Sequence, residues 1–208
     1  MELRQALTQI SAIRLHMART EVFRGYRSVP VAFSGLLALA AAELQAVWIA
    51  DPAESIGNYL VLWVGVAAVS LGATGMEMAV RCRRSESPLT WEITWLAVEQ
   101  FLPCVVAGAL ITFVLVTSEQ SSLWVLPGLL QVLFSLGIFA SYRLLPRATF
   151  WVAVFYMLAG VCCLILARGE GALSPWAMGI PFGVGQLLAA AILYWTLERN
   201  DWQCQEQT

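Results

Sequence analysis

Charged side chains are scarce in this sequence, 12% of 208 residues, and lysine is missing altogether, so all twelve cations are arginine. With 59% hydrophobic residues and a mean hydropathy of +0.71, that scarcity excludes an ordinary water-soluble domain. A single histidine, His16, excludes a paired-histidine metal or haem site within the apolar segments. No HExxH, GxSxG or GxxxxGK[ST] motif occurs, which removes the zincin, serine-hydrolase and P-loop chemistries. The five cysteines, Cys82, Cys104, Cys162, Cys163 and Cys204, have neither metal-ligand spacing nor the arrangement of paired extracellular loops, and read as reduced thiols. The expectation is a chain with no metal, no cofactor and no assignable catalytic residue. The first 27 residues carry five arginines and lack the apolar core and cleavage site of a secretory signal peptide, so they are expected to persist in the mature protein.

Long apolar runs are what the sequence has in abundance. A bilayer crossing consumes about 20 residues, and six runs of that size are present: about 30–50, 60–80, 91–116, 123–142, 150–167 and 176–196. Only helices satisfy their own backbone hydrogen bonds in hydrocarbon without closing a barrel. The expected class is therefore all-α, a polytopic membrane bundle of six transmembrane helices. Ahead of it, residues 2–24 place Leu3, Ala6, Leu7, Ile10, Ile13 and Met17 on one arc, with Arg4, Thr8, Ser11 and Arg19 opposite. This predicts an amphipathic helix on a headgroup layer or against a partner. The resulting division is an interfacial helix over 1–27, a membrane domain over 28–198 and a cytoplasmic tail over 199–208.

The arginines set the expected orientation. Five precede the first run; Arg81, Arg83 and Arg84 follow the second; Arg143 and Arg147 follow the fourth; Arg199 follows the sixth; the alternate connections hold only Arg168. By the positive-inside rule both termini are expected in the cytoplasm, with the bacterial inner membrane as the location. Arg81, Arg83, Arg84, Arg143 and Arg147 would form a cytoplasmic basic rim against anionic lipid. Trp63, Trp91, Trp124, Trp176 and Trp195 lie near run ends, where indoles suit the interface. Nothing in the sequence points to nucleic acid.

Polar residues inside the runs are the candidate site. Glu43 lies about 10 Å and Glu99 about 12 Å from the nearer end of its expected span, where a carboxylate is costly unless it is protonated, paired or hydrated. Both are expected to face the bundle interior. Gln100 adjoins Glu99, and Pro103 frees a backbone carbonyl there, which suggests a local helix break. Gln131 and Gln186 sit near mid-span and need partners on other helices. Glu92 could extend a polar track to Glu99 but fits an interfacial position better, and Glu77 has the spacing for a helical pair with Arg81. Gly179 with Gly183, and Ala68 with Gly72, would permit close helix approach.

A weak repeat also runs through the second half. Ala107-Gly108, Ser122, Trp124, Pro127 and Gln131 recur as Ala159-Gly160, Ser174, Trp176, Pro181 and Gln186.

Two functions fit these residues. In one, a small transporter or ligand-binding membrane protein converges Glu43, Glu99, Gln100, Gln131 and Gln186 on an internal polar cavity for a small molecule or ion. In the other, a non-catalytic regulatory or scaffold subunit binds a cytoplasmic partner through its N-terminal helix and arginine rim. Either is compatible with a homo-oligomer.

Overall fold

A computed structural model describes residues 28–49, 52, 54–84, 88–117, 120–142, 144–166, 171 and 173–198. The expected N-terminal amphipathic helix and C-terminal tail lie outside the described residues. Six α-helices make up the described chain: α1 (Ser28–Trp48), α2 (Ile56–Arg84), α3 (Pro88–Thr117), α4 (Leu126–Ser141), α5 (Thr149–Leu166) and α6 (Pro175–Leu193). A 3-10 turn, Gln120–Val125, leads into α4, and a π-helical turn, Tyr194–Glu198, extends α6. There is no strand among the described residues. All six helices are long and apolar enough to cross a membrane, as a multi-pass membrane protein requires.

Prolines mark several helix starts for a simple reason. Pro88 and Pro175 open α3 and α6, and Pro127 stands in the first turn of α4, where a missing N–H is lost from donors that have no intrahelical acceptor anyway. Pro103 and Pro181 lie inside their helices, and both helices run through them. The break expected near Pro103 is therefore absent. Neighbouring packing and the rest of the hydrogen-bond ladder hold the helix against the loss of one donor.

The helices alternate in direction, so one end of the bundle carries Ser28, Arg84, Pro88, Ser141, Thr149 and Leu193. Arg83 and Arg147 are exposed there, which makes it the basic end. Two tight helix pairs form the frame. In the α1–α6 pair, a methyl group added at Gly35 would stand 3.0 Å from the Gly183 carbonyl oxygen, and one at Gly179 would collide with Ala42. The close approach expected of Gly179 and Gly183 is thus realised against α1. In the α4–α5 pair, Gly128 and Gly160 face each other, and an added methyl on either would come within 2.7 Å of the other's carbonyl oxygen. Only glycine permits that crossing. Ser135 Oγ reinforces it by donating to the Ala153 carbonyl at 2.7 Å.

The outer helices are packed differently. About a third of the apolar window is buried in α1, α5 and α6 and 39% in the α4 span, but the figure falls to 11% in α2 and 6% in α3. Helix α2 touches α1 mainly through Tyr59 and Trp63 near its start, against Ala38, Ala41 and Ala42. Its other half lies away from α1.

The two hairpins that suggested a repeat pack in unlike ways. Gly108 of α3 abuts Leu130 of α4, its own hairpin mate, whereas Gly160 of α5 abuts α4 and not α6. The packing gives the pattern no support as a structural duplication.

Candidate functional site

Polar side chains in the interior are few, and two glutamines among them are tied to groups on other helices. Gln45 of α1 is fully buried: its Nε2 donates to the Leu173 carbonyl at 2.8 Å, and its Oε1 accepts from Trp63 Nε1 at 2.7 Å. One amide thus ties α1 to α2 and to the connection before α6. Sequence reasoning passed over Gln45, although it continues the Ala38, Ala41, Ala42 face at helical spacing. It also misplaced Trp63, which is 7% exposed and sits inside the bundle with its N–H satisfied, not at a headgroup layer.

Gln131 of α4 serves a second junction. Pro181 cannot donate to the carbonyl four residues earlier, which belongs to Ala177, and its ring pushes that carbonyl outward. Gln131 Nε2 supplies the missing donor at 2.8 Å. Gln131 is fully buried, yet its Oε1 has no hydrogen-bond partner among the described residues. The same holds for the hydroxyl of Tyr59, which is 1% exposed, and for Gln100 Oε1.

Aromatic rings, three of them half-buried, join α3, α4, α5 and α6, where a polar cavity was expected. Phe134 of α4 is the hub, with ring centroids 5.4 Å from Phe101 of α3, 4.9 Å from Tyr156 of α5 and 5.6 Å from Phe182 of α6. All three contacts are edge-to-face, the arrangement that aligns the positive rim of one ring with the negative face of another. Tyr156 presses against Gly185, where no larger residue fits.

The two glutamates expected in the interior are on the outside of the chain. Glu43 is exposed on α1, five residues or about 8 Å from the end opposite the basic one. Glu99 is exposed on α3, about 6 Å inside the span that starts at Trp95. The reason is the registry of each helix: the small residues of α1 claim its inward face, and Phe101 and Cys104 are the α3 side chains that meet α4 at Gly137. Gln186 is half-buried beside Gly35, and Gln100 is half-buried on α3. The five candidate residues are therefore not gathered around one cavity. Of the basic rim, Arg81, Arg83 and Arg84 close α2 and Arg147 precedes α5 at the same end, while Arg143 lies outside the described residues. Glu77 is half-buried near the end of α2; the side chains of Arg81 and Glu92 are outside the described set.

Two faces stand open. On α2, Gly65, Ala68, Gly72, Gly75 and Ala79 recur at alternating spacings of three and four, all exposed, and a methyl added at Gly65, Gly72 or Gly75 would meet nothing within 4 Å. The close approach expected of Ala68 and Gly72 is not made among the described residues. On α3, Trp95, Glu99, Leu102, Val106, Leu110 and Phe113 form one exposed stripe at spacings of three or four, with Glu99 in its line.

The chain matches no protein-family model, no curated protein and no solved structure. Its function is read from this geometry alone.

Proposed function

We propose that the protein is a non-catalytic subunit of a membrane assembly, which spans the bilayer six times with both termini in the cytoplasm and associates sideways through α2 and α3. The observation that carries the reading is the contrast in packing. Four helices bury a third or more of their apolar windows, while α2 and α3 bury 11% and 6% and present ordered stripes of small residues and of apolar residues flanking Glu99. Small-residue faces stabilise helix pairs in lipid by letting backbones approach. A carboxylate on a lipid-facing surface costs up to about 3 kcal/mol at mid-span, less near the interface, and a protein neighbour relieves that cost. The basic end, with Arg83 and Arg147, would face anionic lipid of a bacterial inner membrane.

Extraction of the full chain from its membrane in polymer-bounded lipid discs tests the reading. A mass well above that of one 22.8 kDa chain is expected, falling on Gly72→Leu or Glu99→Leu. A single chain in the discs, without other protein, overturns it.

A second reading, transport of a small polar molecule, is favoured by the enclosed Tyr59 hydroxyl and Gln131 Oε1, which have no partner among the described residues and could bind a solute. In that case Tyr59→Phe should abolish uptake of that solute into vesicles, and unchanged uptake counts against it.

A further inference from the structure

At the basic end, α1 and α2 diverge and leave a groove of about 440 Å³. It is walled by Val29, Pro30 and Phe33 on one side and by Ala73, Met76, Glu77 and Val80 on the other. An apolar void of ~150 Å³ takes a benzene-sized group, so this one has room for about three large apolar side chains. The groove is distinct from the small-residue face of α2. At ~100° per residue the two lie about 110° apart around the helix, so occupation of one leaves the other open.

We propose that the groove is the docking site of the chain's own N-terminal segment, residues 1–27, with Ile13 and Met17 seated in it. Three observations select this occupant. The first is position: the segment joins the described chain at Ser28, and the groove wall begins at the next residue, Val29. A tether this short gives an effective concentration in the millimolar range or above, which a separate chain rarely reaches. The second is pattern: Ile10, Ile13 and Met17 continue one apolar arc, and Gly25 is suited to end a helix just before α1. From Gly25 to Met17 and Ile13 is about 12 to 18 Å along a helix, while packed helix axes lie about 8–10 Å apart. The reach is therefore long enough to bring these two side chains to the α2 wall of the groove. The third is charge: the segment holds five of the twelve arginines, and Glu77 is the one charged residue among the described residues of the groove lining. With the apolar arc downward, Arg4 and Arg19 would be left for the headgroup layer.

The test uses the full chain in lipid vesicles. In a background whose five cysteines are replaced by serine or alanine, Met17→Cys is paired with Met76→Cys and oxidised, with His16→Cys plus Met76→Cys as the control from the opposite arc. A bond within one chain is expected, forming at least tenfold faster for the residue 17 pair than for the residue 16 pair. Bonds mainly between two chains, or no preference of residue 17 over residue 16, overturn the proposal. As a check that keeps the native cysteines, a photoreactive residue at position 17 should attach to residues 73–80 of the same chain. Attachment to lipid alone, or to a second copy, overturns the proposal as well.

Discussion

The side-chain amide of Gln131 donates a 2.8 Å hydrogen bond to the carbonyl of Ala177, the carbonyl that Pro181 leaves without its helical donor. A residue on α4 thus repairs a lesion in the backbone of α6, and the two positions should be coupled. Gln131→Leu is expected to lower stability by about 1–2 kcal/mol in detergent micelles, the range of interhelical hydrogen bonds in membranes and of an unpaired buried carbonyl. Pro181→Ala returns an N–H to Ala177. In that background Gln131→Leu should cost less than half as much, which a double-mutant cycle of thermal unfolding reads directly. Equal costs in both backgrounds would show that the amide is not serving the freed carbonyl.

Gln45 presents the opposite case, in which both halves of the amide are used. Gln45→Leu would bury the Trp63 N–H and the Leu173 carbonyl without partners, and a loss of about 2–4 kcal/mol is expected from two such groups. Trp63→Phe removes only one donor and should cost less than Gln45→Leu. The order of the two melting temperatures checks the bridging role.

How much of this was legible beforehand depends on which face of a helix was being asked about. Composition and run length were enough for six helices, because a long apolar run has few other solutions. Span positions agreed to within about three residues, apart from α2, whose helix runs four residues beyond the expected span at each end, from Ile56 and on to Arg84, through polar turns that hydropathy alone does not count. The inward role of Gly179 and Gly183 was also visible. Helical rotation was not. Glu43 and Glu99 were expected inside because charge avoids lipid, but that rule says only that something must cover a carboxylate, not that the same chain does so. Gln45 and Trp63 are 18 residues apart on different helices, and no local pattern joins them. Gln131 needed only one further step, since Pro181 advertises a free carbonyl in the same half of the bundle.

The glycines offer a comparison within one molecule. Gly128→Leu and Gly160→Leu each force a side chain into the facing backbone, and a loss of about 1–3 kcal/mol is expected, or separation of α4 from α5. Gly72→Leu and Gly75→Leu point into open space and should leave the melting temperature of the isolated chain unchanged or slightly raised, since glycine inside a helix is itself unfavourable by about 0.5–1 kcal/mol. Unfolding curves of the detergent-purified monomer distinguish the two sets. A loss in the second set equal to that in the first would mean that α2 is packed within the chain after all.

Phe134 is the ring that Phe101, Tyr156 and Phe182 share. Phe134→Ala should cost about 3 kcal/mol or more, whereas Phe113→Ala, 66% exposed on the α3 stripe, should have little effect on the isolated chain. A pair of melts of equal depth would contradict the central position of Phe134.

The proposed assembly requires α3 to have a neighbour other than lipid. Spin labels placed singly from position 98 to 113, in discs drawn directly from the native membrane, report contact with lipid-dissolved oxygen residue by residue. Labels at Leu102, Val106, Leu110 and Phe113 are predicted to be shielded, with a period near 3.6 residues. Maximal oxygen contact along that same stripe would place it in lipid and contradict the proposed assembly.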